Sequence, residues 1–270
     1  MVTPLLAPPS PCRRWRTGWL LAGAALVGFV WAGVYALRDG RFRVRHVLVQ
    51  NETVQPGDAG AGTFRSHVSA VEIRHLASIQ WDAELWQVDL ASVVQGVLNH
   101  PWVAEVDASR RWPDTVVIRI VEHRPQLLLQ QQGLYYVDAQ GEVFKRARSS
   151  DLDYPVLTGL AEGAVARHPE VARRVLRDAV ALLDTVDASG EFTRADLSEI
   201  HFDEHEGFTL VLRSGAELAL GFSEPAERLG RLARMRERGL DPSLPSRVDL
   251  VPERIALVTP LPPVSPQGLD

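Results

Sequence analysis

The chain has 270 residues, of which 29 are basic and 34 acidic, and its net charge of −5 excludes a nucleic-acid binder that neutralises phosphates with a basic surface. Its single cysteine, Cys12, permits no internal disulfide, so whatever folds here must be held by packing.

The first element in chain order is an uncharged run of 19 residues, Trp19 to Leu37. As a helix it would reach roughly 28 Å, close to the ~30 Å hydrocarbon core of a bilayer. Arg13, Arg14 and Arg16 precede it, and Trp19, Trp31 and Tyr35 place amphipathic rings toward its ends, as an anchored helix requires at a water interface. A cleaved secretory signal is the rival reading, with small residues near Val34 and Ala36, but the run is longer than the usual apolar stretch of about 7 to 15 residues. Arg38, Arg41, Arg43 and Arg45 on the far side leave local charge undecided about orientation. A short tail (1–18) without acids, followed by one large domain, favours the tail inside and the domain outside. The expectation is a single-pass protein with its working part across the membrane.

About 230 residues follow, enough for two modules with separate cores. Phe42 to Val49 reads as a strand and Asn51 to His67 as a loop, whose Gly57, Gly60 and Gly62 lack the order and the following Lys-Ser or Lys-Thr of a phosphate cradle. Val68 to Ser78 has helical spacing at Val68, Val71, Glu72 and Leu76. Leu90, Val93, Val94, Val97 and Leu98 form a second stripe opened by Asp89 as cap. Trp102 to Arg111 and Thr115 to Glu122 are two strands joined by Trp112-Pro113-Asp114, where an aromatic reads as packing the hairpin end rather than as a ligand platform. The order is β-α-α-β-β.

The second module, from Gln126 to about Val258, predicts antiparallel strands over 126–132, 134–137, 142–144, 197–203, 208–213, 216–221, 247–251 and 254–258, with a hairpin hinge at Ser214-Gly215. Two connections hold helices. Pro169 to Asp187 presents Val171, Val175, Leu176, Ala179, Leu182, Leu183 and Val186; Pro225 to Gly239 presents Leu229, Leu232 and Met235. Pro260, Pro262 and Pro263 are expected to end pairing, which leaves the last strand at a sheet edge with unpaired backbone groups that a partner segment can join. A plain closing strand is the alternative.

The β-α-α-β-β order, together with His100-Pro101-Trp102-Val103, Arg110-Arg111-Trp112-Pro113-Asp114-Thr115 and Val121-Glu122-His123-Arg124-Pro125, resembles the POTRA domain of the bacterial cell division family FtsQ/DivIB. The resemblance continues through Leu134-Tyr-Tyr-Val-Asp138, Gly141-Glu-Val-Phe144, Pro155-Val-Leu-Thr-Gly159 and Leu218-Ala-Leu-Gly221. It implies an α+β fold: one transmembrane helix (19–37), a POTRA domain (41–125), a mainly antiparallel β domain with two flanking helices (126–259) and a Pro-rich tail (260–270). It also implies a non-enzymatic, cofactor-free scaffold of the divisome that binds the FtsB/FtsL pair and supports septum formation. By matching position, Arg254, Ile255, Ala256, Leu257 and Val258 would receive a strand from FtsB. One departure stands out: where the family commonly has an Arg-Tyr pair soon after the aspartate matching Asp249, this chain has Leu250-Val251-Pro252. The resemblance further implies recruitment through the POTRA region, making its exposed strand near Phe42 to Gln50 a secondary surface.

Arg228, Arg231, Arg234 and Arg238 make a basic band on the helix before that edge, read either as a solvated face or as a steering patch for acidic residues of a coiled coil. Enzyme signatures are incomplete. His201, Asp203 and His205 share a strand face but no His-Glu-x-x-His occurs; Gly221-Phe-Ser223-Glu-Pro225 lacks the closing glycine of a nucleophile elbow, leaving Ser223 as a helix cap; Glu122 and His123 are strand neighbours facing opposite ways. A POTRA-bearing protein of outer-membrane assembly or secretion is the competing function, and would need repeated POTRA units or a β-barrel. A tethered envelope hydrolase is a third class.

Overall fold

The structure, a computed structural model, describes residues 23–31, 33, 42–53, 66–148, 153–239, 245–252 and 256–261. Of the predicted span, residues 23–31 and 33 are described; they are helical and exposed to the surroundings. Among the described residues no helix is long and apolar enough to cross a membrane. The remainder of the run lies outside them, as do the tails 1–18 and 262–270. The chain divides into two units, Met1–Glu122 and His123–Asp270.

In the first unit the elements are β1 (His46–Asn51), α1 (Ala70–Ala77), a 3-10 turn (Leu85–Gln87), α2 (Leu90–Leu98), β2 (Val103–Arg111) and β3 (Thr115–Glu122), with sheet order β1-β3-β2. β3 is central, antiparallel to β2 and parallel to β1, and it is accordingly the most buried strand. The predicted first strand starts too early: Phe42 to Arg45 runs outside the sheet, with Arg43 bridging to Glu84. Helix α1 begins two residues later than expected because Ser69 caps it, its hydroxyl accepting from the Glu72 amide while the Glu72 carboxylate accepts from the Ser69 amide. That start turns Ile73 and Ala77 inward and leaves Val71, expected on the packed face, 70% exposed. Asp89 caps α2 as anticipated, accepting from the amides of Ala91 and Ser92. The two helices approach so closely that a Cβ at Gly96 would sit 2.5 Å from the Leu76 carbonyl oxygen.

Among the described residues the second unit has one nine-stranded sheet. In chain order its strands are β4 (Leu127–Gln130), β5 (Leu134–Val137), β6 (Val143–Arg146), β7 (Val156–Thr158), β8 (Leu197–Asp203), β9 (Gly207–Leu212), β10 (Glu217–Gly221), β11 (Ser246–Asp249) and β12 (Leu257–Pro260). Their spatial order is β12-β11-β10-β9-β8-β7-β4-β5-β6. Mainly antiparallel pairing holds, but three contacts are parallel: β4 with β7, β7 with β8, and β10 with β11. The difference traces to β7. This three-residue strand, absent from the sequence reading, is inserted between β4 and β8, and the long connections that follow β7 and β10 bring the chain back in the same direction.

Those connections carry the short helix α3 (Ala164–Arg167), the long helix α4 (Pro169–Ser189) and α5 (Pro225–Arg236). Helix α4 buries Ala172, Leu176, Ala179, Val180, Leu182, Leu183 and Val186, and α5 buries Leu229 and Leu232, in one core with Leu127, Leu129, Leu157, Ile200, Leu210, Leu218 and Val248. The core excludes Val171, which sits in the first turn of α4 and is 65% exposed. Helix α5 starts at Pro225 after Glu224, which adopts φ 54° and makes no side-chain cap; Ser223 is not the cap.

A Gly96→Ala variant sets two effects against each other. Alanine gains up to ~1 kcal/mol of helix propensity, whereas forcing a methyl group against a backbone oxygen costs about 1–3 kcal/mol. The clash should win, lowering the urea midpoint of unfolding; a raised midpoint would show that the helices yield.

Candidate functional site

Four described strands have a partner on one side only: β12 and β6 at the two ends of the large sheet, and β1 and β2 in the small one. They differ in charge. β6 carries Lys145, the chain's single lysine, and Arg146, and charged side chains of this kind blunt an edge against further pairing. β12 reads Leu-Val-Thr-Pro with no charge, and all four residues are exposed, Leu257 by 58% and Val258 by 45%. β1 is also uncharged apart from His46, and Leu48 is 42% exposed.

The register defines what β12 offers. Val258 lies opposite Val248, Thr259 opposite Arg247 and Leu257 opposite Asp249. The Leu261 amide donates to the Pro245 carbonyl at 3.1 Å, and the Leu250 amide donates to Ala219 on the other side of β11 at 3.0 Å. Because successive residues of an antiparallel strand turn their backbone groups to alternate sides, Leu257 and Thr259 bond toward β11. The N–H and C=O of Val258 and the C=O of Pro260 therefore face outward. This explains why pairing runs through Pro260, where it was expected to stop: the ring removes an N–H on the free side, so no bond to β11 is lost. The strand is accordingly Leu257–Pro260 rather than Arg254–Val258. Arg254 and Ile255 lie outside the described residues, and Ala256 precedes the strand, packing against the helix-side core.

Helix α5 braces the same edge from one face. The guanidinium of Arg231 donates to the Pro252 carbonyl at 2.7 Å and to the Leu250 carbonyl, fixing the chain as it leaves β11. Arg228 donates to the Leu220 carbonyl. The anticipated basic band is thus divided: Arg228 and Arg231 serve the fold, while Arg234 and Arg238 are exposed. Charge alternation in the sequence gave no sign that two of these cations would meet backbone carbonyls.

The description "Cell division protein FtsQ/DivIB, C-terminal" matches residues 127–250, and "POTRA domain, FtsQ-type" matches residues 63–123. A cell division protein FtsQ of Geobacter sp. is 38% identical over 168 residues, covering 62% of this chain and 61% of that protein. One of Geotalea daltonii is 29% identical over 245 residues, covering 86% of this chain and 84% of its own, and one of Anaeromyxobacter sp. is 36% identical over 171 residues, covering 63% and 58%. The chain belongs to the FtsQ/DivIB family. In the first and third of these relatives the match spans about three fifths of the protein's length. The FtsQ/DivIB match stops at Leu250, just past β11, so β12 lies beyond it.

Several residues that carry the FtsQ/DivIB resemblance prove to be structural. His123 stacks on Phe144 at 4.4 Å, and its Nδ1 donates to Asp138 at 2.7 Å, an assignment required because an ionised carboxylate only accepts. Asp138 also accepts from the amides of Gln140 and Glu142, both at 2.9 Å, and so closes the turn between β5 and β6. Burial raises its carboxyl pKa, but the His123 hydrogen bond, the Glu142 amide and the His123 charge together hold it below the ordinary value. Glu122, the neighbour of His123, belongs to the other unit and accepts from the Ser66 hydroxyl at 2.5 Å and the His67 amide at 2.9 Å.

The remaining enzyme candidates do not assemble either. His201 contacts the Thr158 hydroxyl at 2.8 Å, and Asp203 accepts from the amides of His205 and Glu206, which lower its pKa. Among the described residues no three His, Cys, Asp or Glu side chains come together as metal ligands.

The Asp138 contacts set an acid limit. A carboxyl depressed in the folded state stabilises above its unfolded pKa of about 3.9 and loses that contribution as pH falls through the folded value. Asp138→Asn should therefore cost about 1.5–3 kcal/mol at neutral pH, the range for a hydrogen bond to a charged group. The deficit should shrink as pH falls from about 4, where the unfolded chain's carboxyl takes up a proton, and vanish once the native carboxyl, which holds out to lower pH, is protonated too. Urea unfolding at both pH values measures it; a pH-independent deficit contradicts the assignment.

Proposed function

We propose that this chain is a non-enzymatic, bitopic scaffold of the bacterial divisome, anchored by Trp19 to Leu37 with its amino terminus in the cytoplasm, which captures an extended segment of an FtsB-like partner by adding it to β12. In this reading the partner enters paired with an FtsL-like chain, and the complex supports septum formation.

The observation that carries it is the uncharged outer edge of β12 in a member of the FtsQ/DivIB family. Val258 and Pro260 turn backbone groups outward, and β-augmentation needs a row of this kind. Main-chain pairing also tolerates the missing Arg-Tyr pair, since it does not depend on side-chain identity. Leu257, Val258, Thr259 and Pro260 form the described receiving strand and Ala256 leads into it, while Arg254 and Ile255, also expected to receive the partner, lie outside the described residues. Arg234 is the cation of the helix band best placed to steer an acidic partner, because Arg228 and Arg231 are engaged with carbonyls. The β1 edge is the secondary surface.

Val258→Pro is the discriminating change. It removes an outward N–H while leaving Leu257 and Thr259 bonded to β11. An unsatisfied partner acceptor costs about 1–3 kcal/mol, so capture of an FtsB-like segment should weaken roughly ten- to hundred-fold. Unchanged capture by a folded variant refutes addition at β12. For the anchor, a phosphatase that is active only outside the cytoplasm, fused after Gly40, should be active; an inactive fusion contradicts the proposed topology.

A further inference from the structure

Phe42, the first described residue after the apolar run, sits at the centre of an aromatic cluster. Its ring lies 6.4 Å from Trp86 and, edge-on, 5.6 Å from Trp112. The cluster draws on three separate segments: the entering chain, the strap between the two helices, and the β2–β3 turn. Trp112 is 57% exposed, Trp86 39%, and Trp81 on the same strap 63%. A lone exposed tryptophan is common, but Trp86 and Trp112 packed about Phe42, with the exposed Trp81 on the same strap, give one end of a small domain an apolar surface that water does not favour.

We infer that this end of the first unit rests in the headgroup layer of the bilayer that holds the anchor, with Trp81, Trp86 and Trp112 as interfacial side chains. The inference depends on the anchor proposed above. Five Cα steps separate Leu37 from Phe42, so Phe42 can lie no more than about 18 Å from the end of the apolar run. The headgroup layer takes up roughly the first 6 Å of that distance. The tether therefore holds the patch beside lipid at a concentration that no soluble partner matches. Tryptophan is the residue enriched at that depth, where its ring meets apolar carbon and its N–H meets water.

Charge at this end agrees. Arg45 and Arg111 are exposed here, and Arg38 and Arg41 stand in the tether, all suited to lipid phosphates. Against these cations stand Asp39 in the tether and Asp82, Glu84 and Asp114 around the patch; Asp82 is paired with Arg43 at 2.7 Å, while Glu84 accepts from Gln87 at 2.6 Å and Asp114 from the Thr115 hydroxyl at 2.9 Å and both keep their charge. Arg110 donates to the carbonyls of Leu85 and Val88, which fixes the strap that carries Trp86.

The sole cysteine makes the test clean. In a Cys12→Ser background, a nitroxide is placed at Gln80→Cys beside Trp81, or at Asn99→Cys beyond the far end of α2. The full chain is reconstituted in bilayers of phosphatidylethanolamine and phosphatidylglycerol containing a nickel-chelating lipid. Nickel at the headgroups should broaden the signal at position 80 and leave position 99 unaffected. Replacing Trp81, Trp86 and Trp112 with serine should abolish the broadening while circular dichroism stays unchanged. Equal signals at the two positions in a chain that floats with vesicles overturn the inference and leave the anchor standing. A chain that does not float overturns both.

Discussion

An open sheet cannot satisfy the backbone of its outermost strands, and the second unit is organised around that constraint. Among the described residues its nine strands form an open sheet with β12 at one end and β6 at the other. Each end must then be managed. At β6 the chain places Lys145 and Arg146, which discourage pairing. At β12 it places Leu257, Val258 and Thr259, which do not, and Pro260, which tolerates the edge because its missing N–H lies on the free side. One sheet therefore has a closed end and an open one, and the difference lies in a few side chains.

Packing fixes where the open end stands. Leu229 and Leu232 seat α5 on the core shared with Val248 and Leu218, and Arg231 reaches from the same helix to the carbonyls of Leu250 and Pro252. A flexible last strand would lose conformational freedom on binding and give back much of the affinity that pairing supplies. Anchoring the exit from β11 limits that loss. Under the proposed strand addition, side chains facing a partner can differ while this backbone arrangement persists, so the Leu250-Val251-Pro252 departure is compatible with membership of the FtsQ/DivIB family.

Much of this was legible in the sequence. Hydrophobic period and turn residues gave the β-α-α-β-β order, the Asp89 cap, both long helices of the second unit and the edge position of the last strand. What escaped was decided by tertiary context. β7 has three residues and no pattern of its own, so the parallel contacts it creates were invisible. Val71 and Val171 look like core in a helical projection, but each lies in a first turn that projects past the layer beneath. The register of β12 depends on which side of Pro260 faces β11, a choice made by the partner strand. Arg231 reads as a surface cation until the fold brings carbonyls to it. His123, Asp138 and Phe144 were visible as motif residues, but their sequence separation concealed that they form one stacked and hydrogen-bonded group.

The central claim is that β12 keeps one side of its backbone open until a partner arrives. Amide hydrogen exchange in the full chain, with and without an FtsB-like partner, reads this directly. In the free chain the Leu257 and Thr259 amides should be protected and the Val258 amide should exchange freely; on binding, Val258 should become protected as well. A Val258 amide already protected in the free chain, or still exchanging freely in the complex, would contradict the account.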